Sequence, residues 1–588
     1  MRFIRTHRSA VPALLVLMVG SLLVAQPVFP AESGSLSLFS QLPADTVAAV
    51  RVASISQMSR NLDTFLVPSL GWGLGGEPEN HVQEIFTLKS MDGVDKQKPI
   101  WILLLSQGEE MNDPFIGLCP LSDPAKFSAQ LEMKESSPGV YSSDALSAVV
   151  KGNYAVMRKG PALPAIQEWA QKADWSQLNG QPAAPLGDLS VWIQVQKLVP
   201  LLRGEVENAL DLLADTAENS PAMMPANMLP ILRIESGWMF DLAAQVDAVQ
   251  VDLNFSADAL ELRKIVHTLP GTPLADYFQT AKFAPLDTVL PALSANSWIS
   301  LVANFDPKIY QLIRDRMIQD SVKMGLDEKI LTSFWDQYTN AFDGTLGLTM
   351  NPSGDEQQPF AFTEVMGLKE SADATQLTGG ILNILKESMA IASPGEGVKI
   401  NLKEEKNAGT YKDIPYSKIS MQYEFDDPES EIAQTLKNMG MNFSMAAVPR
   451  ALILTTGEIG PVIDQVQAGK TAAEDSLPWI KQAGPQAMMV MRLSLIEQLR
   501  MIKQQLSKTA GGSVNPLAMV ELPDSANTPG VTMDMRVEGG NAVSRLRIPT
   551  QEISTIRMAI MGGMTEEGQE PGQEPVQEPE TEEPDNQE

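Results

Sequence analysis

Four pairs of segments recur in the same order along the chain, and this recurrence constrains the fold more than any other feature. Leu42-Pro43-Ala44-Asp45-Thr46-Val47 aligns with Leu293-Ser294-Ala295-Asn296-Ser297-Trp298 at an offset of 251. Residues 152–166 (GNYAVMRKGPALPAI) align with 449–463 (PRALILTTGEIGPVI) at an offset of 297. Residues 189–202 align with 487–500 at an offset of 298, and VQVDLNF at 249–255 aligns with VTMDMRV at 531–537 at an offset of 282. The last pair sets Asp252 on Asp534. Each segment reads as a strand entering a turn or a helix, because short apolar β-rich runs give way to apolar residues three and four apart. The expected architecture is therefore two tandem related α+β domains, residues 36–280 and 281–562, with the boundary near Thr280.

The jump in offset between the first two pairs implies about 46 extra residues in the second copy. The polar stretch from Gly379 to Gly440, with KINLKEE and YSKISMQYEF as a strand pair, is the candidate insertion. WILLLS at 101–106, FIGLCPL at 115–121 and GTLGLTM at 344–350 are short apolar runs bounded by turn residues, the form of core strands. Helical patterns cover 197–216 and 494–507, and the Pro-, Met- and Asn-rich segment from Asn219 to Pro230 reads as a loop. The fold class expected is α+β, with mainly antiparallel sheets and helices packed on one face.

The two ends have their own character. Arg2, Arg5 and Arg8 precede an apolar run from Val11 to Ala25, which is 15 residues long against the roughly 20 that span a bilayer. Residues 1–31 thus read as a signal peptide cleaved between 25 and 31, with an uncleaved membrane anchor as the alternative. Residues 565–588 hold ten acids, no base and no aromatic, and repeat "QEP" every four residues. Such a segment buries too little apolar surface to offset its chain entropy, so a disordered acidic tail is expected. The net charge of −29 argues against nucleic-acid partners, whose phosphates need basic patches. No second long apolar run follows, so no stable membrane insertion is expected after signal cleavage.

The motifs that would carry chemistry are weak. Gly71-Trp72-Gly73-Leu74-Gly75-Gly76 matches a dinucleotide-binding glycine pattern, but a helical pattern with Pro68 precedes it where a strand is needed. A loop is expected there. Cys119 is the only cysteine and sits in an apolar run, the setting of a buried inert thiol. His81 reads as exposed and His267 as a structural residue late in a strand. Methionines cluster at Met223/Met224/Met228, Met439/Met441/Met445, Met488/Met489/Met491 and Met558/Met561/Met564; thioethers suit copper(I), but core filling is the expected role. No H-E-x-x-H, C-x-x-C, G-x-S-x-G or P-loop pattern occurs. No catalytic, cofactor-binding or metal residues are assigned, and no cofactor is expected. The tryptophans are scattered singly, and the aromatic content of 6% is low for a sugar site.

The Leu42–Thr46 strand opener, the Gly93-Val94-Asp95…Pro99 turn before a β-run and the strand–Gly–helix at Tyr154–Ile166 resemble a group of exported bacterial proteins of unknown activity. These include planctomycete-type and domain-of-unknown-function families. The resemblance implies export and a duplicated α+β fold; it implies no reaction and carries over no catalytic residue. The functional expectation is an exported envelope protein, periplasmic or secreted, with a non-enzymatic binding or structural role and an unknown protein or apolar ligand as partner. The alternatives are a periplasmic carrier of lipid or another apolar ligand, with a Met- and Leu-lined cavity, and a carboxylate-based hydrolase.

Overall fold

The structure is a computed structural model. It describes residues 41–566 except 75–76, 87, 107–113, 132, 144–145, 161–162, 176–186, 220–227, 295–296, 353–359, 392–397, 426, 428–440, 470–476, 485–486, 510–521, 523–527 and 539. The expected signal peptide and residues 567–588 of the expected tail lie outside the described residues.

The first part of the chain runs β1 (Thr46–Val52), α1 (Ile55–Leu70), α2 (Glu77–Phe86), β2 (Ile100–Leu105), β3 (Phe115–Pro120), α3 (Pro124–Leu131), β4 (Lys134–Ser137), β5 (Val140–Ser142), β6 (Leu146–Lys151) and β7 (Tyr154–Lys159). It continues through α4 (Pro164–Lys172), β8 (Leu189–Gln194), α5 (Val195–Asn219), α6 (Met228–Ala243), β9 (Val246–Phe255), β10 (Ala259–Thr268) and α7 (Pro273–Thr280). The second part runs β11 (Ile299–Asn304), α8 (Lys308–Lys323), α9 (Glu328–Ala341), β12 (Phe342–Pro352), β13 (Phe360–Leu368), α10 (Ala374–Ile391), β14 (Val398–Tyr411), β15 (Ile414–Phe425), β16 (Met441–Val448) and β17 (Ala451–Thr455). It ends with α11 (Ile459–Ala468), α12 (Pro478–Ala483), β18 (Ala487–Leu493), α13 (Leu495–Thr509), β19 (Val531–Glu538), β20 (Asn541–Pro549) and α14 (Thr550–Glu566).

All twenty strands join one antiparallel sheet. The first ten lie in the order β4-β5-β6-β7-β3-β2-β1-β8-β9-β10. From the far edge inward, the second ten lie in the order β14-β15-β16-β17-β13-β12-β11-β18-β19-β20. Strand for strand the two orders correspond. They meet where β10 pairs with β20, from Ala259 opposite Pro549 to Val266 opposite Ala542.

Helices cover both faces of this sheet, not one. Along β2, Trp101, Leu103 and Leu105 face a core that includes Ala170 of α4, while Ile100 faces Ile55 of α1, Phe86 of α2 and Phe127 of α3. The same division holds in the second part. There Val365 and Ile453 pack under α11 and α12, and Leu368 and Leu452 pack under α10. A strand buried on both sides needs apolar residues at successive positions, as β2 (IWILLL) has. Trp101, Trp169, Trp175 and Trp192, far apart in sequence, share one core, with Trp101 stacked on Trp192 at 5.5 Å.

Three expectations change. The KINLKEE and YSKISMQYEF pair takes a place that the first part also fills: β14 pairs with β15 and β15 with β16, as the shorter β4 pairs with β5 and β5 with β6, so the extra residues lengthen a hairpin and do not add one. The hairpin also turns on only two residues, Lys412 and Asp413, both at positive φ, the geometry of a tight primed turn. Met228–Pro230 open α6 and do not belong to the expected loop, and 220–227 lie outside the described residues. Thr565 and Glu566, placed in the tail by sequence, close α14.

Candidate functional site

An apolar groove of about 480 Å³ opens between α2 and the sheet formed by β1, β2, β3, β6 and β7. The helix is amphipathic for a simple reason: Val82 and Phe86 recur four residues apart and are buried, while His81 on another face is exposed. Val50, Ile102, Leu146 and Met157 form the strand side of the groove, and Ile85 and Phe86 the helix side. Ile85 and Phe115 remain 44% and 40% exposed at the opening. Lys159, the last residue of β7 and on the same face as Met157, adds a cation to an otherwise hydrocarbon lining.

One glycine makes this arrangement fit. A Cβ built on Gly117 would lie 1.6 Å from Cε1 of Phe86, so the ring rests directly on the strand backbone. Gly117→Ala is expected to push Phe86 off the sheet, to cost about 1–3 kcal/mol as overpacking does, and to change the groove's depth. Thermal melting together with a fluorescent apolar probe measures both effects. The lining differs from the Met- and Leu-rich cavity expected: it holds one methionine and one leucine, and its walls are otherwise mostly Val, Ile and Phe.

The residues weighed in the sequence fall elsewhere. Asp45 is exposed in the turn before β1, where Thr46 N–H donates to the carbonyl of Pro43. Gly71 ends α1, and a helix therefore precedes the glycine pattern; Gly75 and Gly76 lie outside the described residues. Cys119 is fully buried in β3, and burial pushes its thiol up to about 12, which removes the nucleophilic thiolate at neutral pH. His81 lies 3.7 Å from Glu84 on the exposed face of α2, and His267 is buried in β10, so the two histidines do not meet. Met488 is buried in β18 and Met445 in β16, as core residues, while Met558 and Met561 are exposed on α14. Met223, Met224 and Met439 lie outside the described residues. Among the described residues no His, Cys, Asp and Glu cluster has the makings of a metal site.

Two further hollows exist. The larger, about 880 Å³, is a polar depression between α9 and the start of α10, lined by Asp336, Gln337, Asn340 and Asp373 among others. The other, about 610 Å³, lies over β10, β19 and β20 and brings Glu261 and Asp534 together beside Arg263, Arg545 and Arg547. Burial is the main force on the Asp534 carboxyl and raises it to about 6; Glu538 and Glu261 add to the rise, and Arg536 opposes it. Sequence reasoning singled out Asp252 and Asp534 as matched positions but passed over these arginines. Their signal was present in VSRLRIP, where Arg545 and Arg547 take alternate positions of a strand, and in ELRKIV, where Glu261 and Arg263 do.

No helix of the described residues is long and apolar enough to cross a membrane. Comparison of the chain with protein-family models, curated proteins and solved structures finds no match in any of the three.

Proposed function

We propose that this chain is an exported, non-enzymatic protein of the bacterial envelope, built from two tandem related units, that carries an apolar ligand with an anionic end. The groove beneath α2 carries the reading. Its volume of about 480 Å³ falls in the roughly 300–1,000 Å³ range of small-molecule sites, and its hydrocarbon walls suit an acyl chain or similar body. Lys159 supplies the charge that an acidic head would meet. The relatedness of the two units is supported by their matching strand orders. It is supported again by where the recurring segments fall: 152–166 on β7 and α4, 449–463 on β17 and α11, 249–255 on β9 and 531–537 on β19. Export rests on the sequence of residues 1–31.

Native mass spectrometry after mild extraction should show a bound amphiphile, and a fluorescent fatty acid should bind saturably. Ile85→Asp with Phe115→Asp is expected to weaken that binding by about tenfold or more, because burying charge in an apolar site is costly. Both side chains are partly exposed, so the fold should survive. A protein that extracts empty and binds no fatty acid would sink the reading in favour of a structural role.

A further inference from the structure

The seam between β10 and β20 sets two positive charges directly opposite each other. Arg263 pairs in register with Arg545, and the same row continues to Asp252 on β9 and Asp534 on β19. Like charges directly opposed across a sheet are destabilising, and an anion seated between them relieves the repulsion. Here one does: Glu538 accepts from Arg263 Nη2 at 3.2 Å and from Arg545 Nη2 at 3.1 Å. It also lies 2.7 Å from Arg536 Nε. One carboxylate is thus already seated among three guanidinium groups. Glu538 is the last residue of β19, and its side chain is 34% exposed, so it is able to leave.

The seat is not saturated by Glu538. Arg263 Nε and Arg536 Nη2 are buried with no hydrogen-bond acceptor among the described residues, while Arg547 Nε lies 3.3 Å from Glu261. A buried donor left unpaired keeps its desolvation cost uncompensated. Arg263, Arg545 and Arg547 line the 610 Å³ cavity with Glu261 and Asp534, and Trp479 and Val490 close it on one side. A guanidinium fork matches the planar or tetrahedral oxygens of carboxylate and phosphate, and it does so better than an ammonium does. In a chain of net charge −29, this cavity sets three arginines against two acids, Glu261 and Asp534.

We propose that the cavity over the β10–β20 seam binds a small oxyanion, a carboxylate or phosphate group, which displaces Glu538 from between Arg263 and Arg545. Arg547, 35% exposed and 3.3 Å from Glu261, stands at the rim and meets the ligand as it enters. This site is separate from the groove beneath α2 and does not depend on it.

Isothermal titration of the full chain at low ionic strength, with succinate and with inorganic phosphate as probes, tests the proposal. One or both should bind saturably at a single site; which one does tells whether the seat prefers carboxylate or phosphate. Glu538→Gln removes the internal competitor and should tighten binding about threefold or more. Arg545→Gln should weaken it about tenfold or more, with Arg547→Gln as the second variant should Arg545→Gln fail to fold. The groove substitutions Ile85→Asp and Phe115→Asp should leave it unchanged. The proposal is overturned if neither probe gives saturable heat with the wild-type chain and Glu538→Gln, or if the arginine variants bind as the wild type does.

Discussion

Gly344→Ala is expected to lower stability by about 3–5 kcal/mol, seen as a shift of the urea midpoint at unchanged slope. Two costs act at once. The residue sits at φ +106°, outside the region that L side chains adopt, and a Cβ there would lie 1.9 Å from the carbonyl oxygen of Phe305. That oxygen is backbone and has little freedom, because the same stretch is tied down by Phe305 N–H donating to the Gly344 carbonyl at 2.8 Å. The glycine lies where β12 slips register between Phe342 and Leu346, so the irregularity is built around it. Gly271→Ala provides the comparison. It shares the positive φ, but its Cβ would meet nothing within 4 Å, so its cost should stay near 1 kcal/mol. Equal effects at the two positions would show that the close approach at Gly344 does not matter.

Trp101→Ala is expected to cost about 3–5 kcal/mol, a large part of the roughly 5–15 kcal/mol that holds a folded domain together. The indole is 2% exposed and stacks on Trp192, with β1 running between their two strands. It also belongs to the core that seats α4 on the sheet. Trp101→Phe keeps an aromatic ring there and should recover more than half of the loss. Calorimetry and the near-ultraviolet circular dichroism of the tryptophans measure both variants. A loss below about 1 kcal/mol for the alanine would mean that the site closes up around the cavity.

The places where sequence reading succeeded and failed have physical causes. The apolar runs at 101–106, 115–121 and 344–350 were legible as strands, because burial demands consecutive apolar residues whatever lies on either side. Those same runs carried the evidence that both faces are covered. WILLL does not alternate with polar residues, as a half-wet antiparallel strand would, yet helices were expected on one face only. The groove was not legible. Its residues are spread from Val50 to Lys159 over five strands and one helix, and the contact that shapes it joins Phe86 to an unremarkable glycine in FIGLCP. Periodicity reports which face of an element a residue occupies; it does not report which element stands opposite. The arginine row failed for the same reason. Arg263 and Arg545 are 282 positions apart, and only the seam places them together.

That seam also governs the order of assembly. Its partners are separated by 276 to 290 residues, so it is among the last pairings available to a chain made from its N-terminus. Until β20 arrives, β10 presents a ten-residue sheet edge with its hydrogen-bonding groups unmet, the kind of edge that recruits other chains. Arg263 and Lys264 disfavour the registers of such a pairing in which each meets its own counterpart, because like charges opposed across a sheet are destabilising.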